Sequence, residues 1–137
     1  MKFSCLNCGK EKRMNHSCAN KYCSKLCQTE FHYNENIRAW KDGRLSGNKG
    51  VNSIQVSNFV KKYIEEKFNY RCVECGASEV WNDKPLCLQL EHLDGDSRNT
   101  VEDNLSLLCP NCHTQTPFYG SKNKGRGRGS LIKAGLV

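Results

Sequence analysis

A helical repeat of apolar residues occupies the middle of the chain. Tyr33, Ile37 and Trp40 recur at i, i+4 and i+7, the spacing of one helix face, and Gly43 follows as a stop signal. After a turn-rich segment, Ser57 stands where a helix N-cap is expected. A second apolar face follows it, made by Phe59, Val60, Tyr63, Ile64 and Phe68. The pattern predicts two helices joined by a loop, with Trp40 packed in a core.

The apolar period changes to two after Pro85. Leu86, Leu88 and Leu90 alternate with other residues as in a half-buried strand, and a polar loop follows. The next apolar segment, LSLLC, is short and strand-like, and Pro110 directly after it suits the first position of a helix. The order predicted for this region is strand, loop, strand and helix. The expected fold class is therefore small α+β.

Hydrophobic burial alone is a weak source of stability for this composition. The 137 residues are 37% apolar with a mean hydropathy of -0.71, and ten of them are cysteines. The N-terminus lacks an apolar signal-peptide core, and no stretch approaches the length of a membrane span, so we expect a cytoplasmic protein. In a reducing compartment, C-x-x-C pairs are more often zinc ligands than disulfides. The fold is therefore expected to be stabilised by zinc.

The cysteines form two groups separated by a stretch that contains none. Zinc takes four tetrahedral ligands, and two C-x-x-C knuckles supply four thiolates for one ion. The predicted ligands of two structural Zn²⁺ ions are Cys72, Cys75, Cys109 and Cys112 for one site and Cys5, Cys8, Cys23 and Cys27 for the other. Cys18 is a spare member of the first group. Cys87, inside the predicted strand, is expected to be a small buried hydrophobic residue.

Charge favours a polyanionic partner. The formal net charge is +7, from 21 Lys and Arg against 14 Asp and Glu. Eight thiolates and two Zn²⁺ ions together would lower it to about +3, so the distribution of charge matters more than its sum. No acidic residue follows Asp103. The glycine-rich tail, which contains Lys122, Lys124, Arg126 and Arg128, is therefore the part predicted to face a polyanion.

Zinc does not explain four further polar residues near the predicted strand ends, which are Glu91, His92, Asn104 and His113. A carboxylate and an imidazole suit one divalent cation, which can neutralise charge on a phosphate and stabilise a leaving oxygen. A neutral histidine can take a proton from the attacking water, because its unperturbed pKa lies near neutrality. A side-chain amide such as that of Asn104 can accept the other ring N–H and so fix the tautomer.

The segment LQLEHLDGDSRNTVEDNLSLLCPNCHTQT resembles the HNH, or ββα-metal, nuclease motif in its zinc-supported form, which is common among phage-encoded endonucleases. The resemblance implies that His92 is the general base, that Asn104 orients it, and that His113 binds the catalytic metal. The family usually has Asp or His before the first His of the motif. Here that residue is Glu91, whose longer arm would shift the ion or make its ligation water-mediated.

The resemblance extends over residues 72–128 and implies a metal-dependent DNA endonuclease, a phosphodiester hydrolase that leaves a 5′-phosphate and a 3′-hydroxyl. The catalytic divalent cation would be Mg²⁺ or Mn²⁺, with Ni²⁺ or Zn²⁺ as alternatives. The expected partner is double-stranded DNA, with no membrane, no small-molecule cofactor, and a monomer or homodimer as the active form. Homing, restriction and packaging are all compatible roles.

The expected organisation is a ββα-metal nuclease core preceded by a cysteine-rich zinc module and connecting helices. Its predicted parts are a zinc module at 1–30, a helical connector at 31–70, the nuclease core at 71–120 and the DNA-contacting tail at 121–137. The alternative is a non-catalytic zinc module that binds nucleic acid, and a further one is an RNA-directed nuclease or toxin. A binding module does not need the four polar residues together in this order, so the sequence favours cleavage.

Overall fold

The structure is a computed structural model, and it describes residues 1–16, 20–50 and 54–119. Cys18 and the tail residues predicted to contact DNA lie outside the described residues. The elements in chain order are β1 (Lys2–Ser4), β2 (Glu11–Arg13), α1 (Lys25–Lys41), α2 (Asn58–Lys67), β3 (Val80–Trp81), β4 (Lys84–Pro85), β5 (Gln89–His92), β6 (Leu105–Leu108) and α3 (Pro110–Thr114). Consecutive strands pair as β1–β2, β3–β4 and β5–β6, all antiparallel. The predicted small α+β class is confirmed.

Both predicted connector helices are present. α1 begins before its apolar stripe because the Ser24 hydroxyl accepts a hydrogen bond from the Cys27 N–H at 3.1 Å, which caps the first turn. It ends just before Gly43, whose φ of +77° belongs to the left-handed region that glycine tolerates. α2 follows Ser57 as predicted, although the Ser57 side chain makes no capping hydrogen bond.

The helices pack on the β5–β6 hairpin. Val60 and Ile64 of α2 and Leu107 of β6 are fully buried, and each contributes roughly 1.5–3 kcal/mol through the apolar area removed from water. Trp40 is buried in the same core, as expected. Its indole N–H donates to the Thr100 carbonyl at 2.8 Å, so α1 is tied to the loop before β6.

The first strand of the predicted pair is shorter than the leucine alternation indicates. β5 contains only Gln89–His92, paired with β6 from Gln89 opposite Leu108 to His92 opposite Leu105. Before it, the Leu86 N–H donates to the Glu79 carbonyl instead of joining the ladder. The expectation that Cys87 is buried in a strand is therefore wrong. Cys87 precedes the strand and is exposed, because the ladder does not extend to it.

Candidate functional site

Both predicted sets of four cysteines come together in the structure. Within each set, the four Sγ atoms lie within 4.8 Å of one another. The Sγ–Sγ distances are 3.6 Å for Cys8–Cys23, 3.5 Å for Cys23–Cys27 and 3.6 Å for Cys75–Cys109. Four sulfurs around one zinc ion lie about 3.8 Å apart, whereas a disulfide brings two sulfurs to about 2.0 Å. Each cluster can therefore hold one zinc ion, and its cysteines are free thiols rather than disulfides.

The first C-x-x-C knuckle of each cluster closes in the same way because a glycine follows it. Gly9 N–H donates to the Cys5 carbonyl and Gly76 N–H donates to the Cys72 carbonyl, both at 2.9 Å. Gly9 has a φ of +73° and Gly76 a φ of +76°, a conformation that residues with a Cβ rarely adopt. The sequence C-x-x-C-G therefore folds locally into a turn that aims both sulfurs at one point.

The thiols have the proton affinities expected of a shared metal site. The Cys8 backbone amide lowers the pKa of Cys5 to about 6. Burial raises the pKa of Cys72, but backbone amide hydrogen bonds outweigh it and lower that pKa to about 6. Hydrogen bonds between neighbouring sulfurs raise the pKa of Cys23 and of Cys112 to about 12. Each cluster thus pairs thiols of low pKa with neighbours that keep their protons, and a bound divalent cation would take the place of those protons.

The second cysteine cluster positions α3. Cys109 occupies the N-cap of this helix, where its Sγ accepts a hydrogen bond from the Cys112 N–H at 3.5 Å, and Pro110 is the first helical residue. His113 comes directly after the last cysteine of the cluster. α3 packs against both β5 and β6, so the cluster sets where the His113 ring lies relative to the strands.

His113 lies against Glu91. The imidazole Nε2 is 2.6 Å from Oε2 of Glu91, a residue that is only 7% exposed. The other ring nitrogen, Nδ1, contacts Oε1 of Gln89, two residues earlier on β5. A carboxylate oxygen and an imidazole nitrogen facing each other can serve as two ligands of one divalent cation, which leaves its remaining positions to water or phosphate oxygens. The carboxylate also borders an open cavity of about 350 Å³.

The His92 side chain lies on the opposite face of β5 from the Glu91 side chain, because the side chains of successive strand residues point to alternate faces. Its Nε2 is 3.0 Å from the Thr100 hydroxyl, which is 2.5 Å from Asn48 Oδ1. The Ser97 carbonyl is also within reach of this hydroxyl, at 3.4 Å. The Asn48 amide oxygen and the Ser97 carbonyl can only accept, so the single hydroxyl proton goes to one of them and Thr100 accepts from His92. His92 therefore carries its proton on Nε2 and its lone pair on Nδ1.

Two effects act on the ionisation of His92. Burial lowers its pKa, and the carboxylates of Asp94 and Asp96 offset part of this effect. The net shift is downward from the ordinary value, which favours the neutral imidazole near neutral pH. A neutral ring with a free Nδ1 lone pair is the form that can accept a proton from water.

Asn104 holds the loop between the strands rather than the His92 ring. Its Nδ2 donates to Asp94 Oδ1 at 2.9 Å and to the Asn99 carbonyl at 2.7 Å, while its Oδ1 accepts from the Asp94 N–H at 3.1 Å. The expected hydrogen bond from the His92 ring to the Asn104 amide is therefore replaced by the one to Thr100. The loop backbone and Asp94 take both hydrogens of this amide, and its oxygen is directed at the Asp94 N–H.

Thr100, Asn48 and Gln89 are the site residues that the sequence did not indicate. Asn48 lies in a turn-rich segment, where an asparagine is ordinarily explained by the turn itself. Its neighbour Gly47 offers a partial signal, because a Cβ there would lie 2.6 Å from Thr100 and 2.8 Å from the Trp40 indole nitrogen. Such close packing requires a glycine, but the sequence does not reveal its partners.

Parts of this chain are similar to curated proteins. A segment of 57 residues, 42% of the chain, is 54% identical to H-N-H endonuclease F-TflIV of Escherichia phage T5. This segment is related to H-N-H endonucleases. The resemblance to the HNH motif predicted from the sequence is thereby confirmed.

The chain is also similar to a second curated protein. Over 71 residues, 50% of the chain, the sequence is 35% identical to Zorya protein ZorE of Escherichia coli. The chain spans 25% of the length of the H-N-H endonuclease and 19% of the length of ZorE. No protein-family model and no solved structure matches the chain. In the described part of the chain, the helices are too short or too polar to cross a membrane.

Proposed function

We propose that this chain is a metal-dependent DNA endonuclease of the HNH type, in which β5, β6 and α3 form the ββα-metal core. The observation that carries the proposal is the pairing of the buried Glu91 carboxylate with His113, next to the half-buried His92 at the end of the same strand. The identity to an H-N-H endonuclease over 57 residues supports the same reaction class. The phage origin of that relative favours a phage-type homing or restriction nuclease.

In this proposal Glu91 and His113 hold one Mg²⁺ or Mn²⁺ ion. When bound, such an ion neutralises the charge that develops on the scissile phosphate and stabilises the leaving oxygen. His92 is the last residue of β5, so a phosphate lying across the strand end is within reach of side chains from both strand faces. Nδ1 of His92 accepts the proton of the attacking water, and Asn104 keeps the loop that carries Thr100 in place.

Plasmid nicking tests the reaction class. The purified chain is expected to convert supercoiled plasmid DNA to open-circular or linear forms in Mg²⁺ or Mn²⁺, and EDTA should stop the conversion. Glu91→Gln should lower the rate on the order of 100-fold, because an amide is a poorer ligand than a carboxylate. The exposed Glu79→Gln is the matched control and should retain the wild-type rate. DNA binding without nicking in Mg²⁺, Mn²⁺, Ni²⁺ or Zn²⁺ would instead establish the non-catalytic binding module.

Thr100 is proposed as a positioning residue for His92. Thr100→Val keeps the side-chain volume but removes the hydroxyl that accepts from Nε2, so we expect nicking to slow about 10- to 100-fold with little change in DNA affinity. Thr100→Ser retains the hydroxyl and should restore most of the rate. Single-turnover nicking rates, with thermal unfolding of both variants, make the comparison. Equal rates for the Val and Ser variants would show that the hydroxyl does not position the ring.

A further inference from the structure

The N-terminal zinc module carries a second open cavity, of about 560 Å³, that shares no residue with the Glu91 site. It lies between the β1–β2 hairpin and the start of α1. Four of its lining residues are cationic, namely Lys12, Arg13, Lys21 and Lys25. None of its lining residues is acidic. We call this cavity the basic groove.

The cations of the basic groove are not paired with carboxylates in the described part of the chain. Among the residues that the structure describes, Arg13, Lys21 and Lys25 form no ion pair, and Lys12 donates to the Cys23 carbonyl at 2.6 Å. A zinc ion held by four thiolates carries a charge of −2, so the four cations leave a local excess of about +2. This positive surface faces solvent.

The start of α1 adds to the positive potential. Lys25 is the first residue of this 17-residue helix, and its first turn contains no acidic residue. Carboxylates are the stabilising charges at a helix N-terminus, where the partial charge of the backbone is already positive. The anionic groups at this end of α1 are the thiolates of the first cysteine cluster, among them Cys27 in the first turn, and Lys25 adds its charge on the groove side.

We propose that the basic groove binds the phosphate backbone of double-stranded DNA and so holds the substrate at a point separate from the cleavage site. This inference rests on the proposed nuclease function. Besides the cations, the amide of Gln28 and the hydroxyl of Ser24 line the groove. Lys, Arg, Asn, Gln and Ser side chains are those that contact phosphate and sugar, and such contacts set the register of a protein on the duplex without reading its sequence.

Two of the three rings that line the groove, those of Tyr22 and His32, pack against neighbouring rings, which favours a duplex over a single strand. The ring of Tyr22 packs 5.4 Å from Phe31 and 5.7 Å from His32, measured between centroids. These rings form a wall of the module and are engaged with one another. Proteins that bind single strands instead expose aromatic faces on which successive bases stack.

The salt dependence of DNA binding tests the basic groove. The full chain with His92→Ala, which is expected not to cut, is titrated with a fluorescent 30-bp duplex over a series of salt concentrations. Arg13→Gln with Lys21→Gln should lower the slope of log K against log salt by about 2, since each lost phosphate contact removes about 0.9. The matched control is Lys61→Gln with Lys62→Gln, which removes two charges that are paired with glutamates on α2. Its slope should change by less than half as much.

A charge-conserving pair separates binding from folding. Arg13→Lys with Lys21→Arg should retain the wild-type slope, and all variants should retain the zinc content of the parent chain. Equal slopes for the groove and control variants overturn the proposal, as does weaker binding with an unchanged slope. Nicking plays no part in this readout. A lower slope for the groove variant, together with no nicking by the chain that retains His92, contradicts the nuclease alone. Nicking by the chain that retains His92, together with an unchanged slope for the groove variant, contradicts the groove alone.

Discussion

Replacing His92 with alanine is expected to abolish plasmid nicking in Mg²⁺ or Mn²⁺ while leaving DNA binding largely intact. The ring is the only proposed proton acceptor, and general-base catalysis is worth on the order of 10²–10⁴ in rate. Its Nε2 is held by the Thr100 hydroxyl, so the side chain contributes to reaction geometry rather than to a DNA-contacting surface. Nicking rates at saturating protein and duplex affinity at fixed salt measure the two effects separately.

The matched control for this variant is His16→Ala, which removes an exposed histidine of the N-terminal module. Its nicking rate should equal that of the wild type. Nicking by a clean preparation of His92→Ala at the wild-type rate would contradict the assignment of His92 as general base. Loss of DNA binding together with nicking would show that the residue acts on affinity instead.

Removing one thiol from the second cysteine cluster is expected to unfold the β5–β6–α3 unit. Cys72 and Cys109 are buried in the same core as Leu107, and Cys109 also caps α3. Structural zinc contributes roughly 10–16 kcal/mol in small zinc-dependent domains, which is comparable with the whole folding free energy of about 5–15 kcal/mol of an ordinary domain. Cys109→Ser should therefore lose the cooperative thermal transition of this unit and about one zinc per chain.

Cys87→Ser provides the control because this exposed thiol belongs to neither cluster. It should keep about two zinc ions per chain and change the free energy of unfolding by no more than about 0.5 kcal/mol. Metal analysis and thermal unfolding followed by circular dichroism measure both variants. A native transition and two zinc ions in Cys109→Ser would contradict the structural role of this cluster. One zinc ion in the wild-type chain would contradict the N-terminal site.

Local signals in the sequence were sufficient for several parts of the fold. The repeat of Tyr33, Ile37 and Trp40 predicted α1, because helix faces recur within one or two turns. Pro110 predicted the start of α3 in the same way. The leucine alternation overestimated the length of β5. Alternation shows which residues face a core, but it does not show how far the partner strand extends.

The sequence by itself determined the donor chemistry of this protein. Knuckle spacing fixes which thiols share a turn, Glu91 and His92 are adjacent, and His113 directly follows Cys112. Such constraints act over a few residues, so they are legible without a structure. The resemblance to H-N-H endonucleases rests on these same local features.

Only the tertiary structure decided how those groups are held. Asn48 and Thr100 are 52 residues apart, yet their contact determines which nitrogen of His92 carries the lone pair. The basic groove likewise joins cations from β2 to cations that precede and begin α1. Contacts between distant positions arise from packing, and the close approach of Gly47 to Thr100 is an example. Packing is a property of the folded chain, so no short segment of the sequence reveals it.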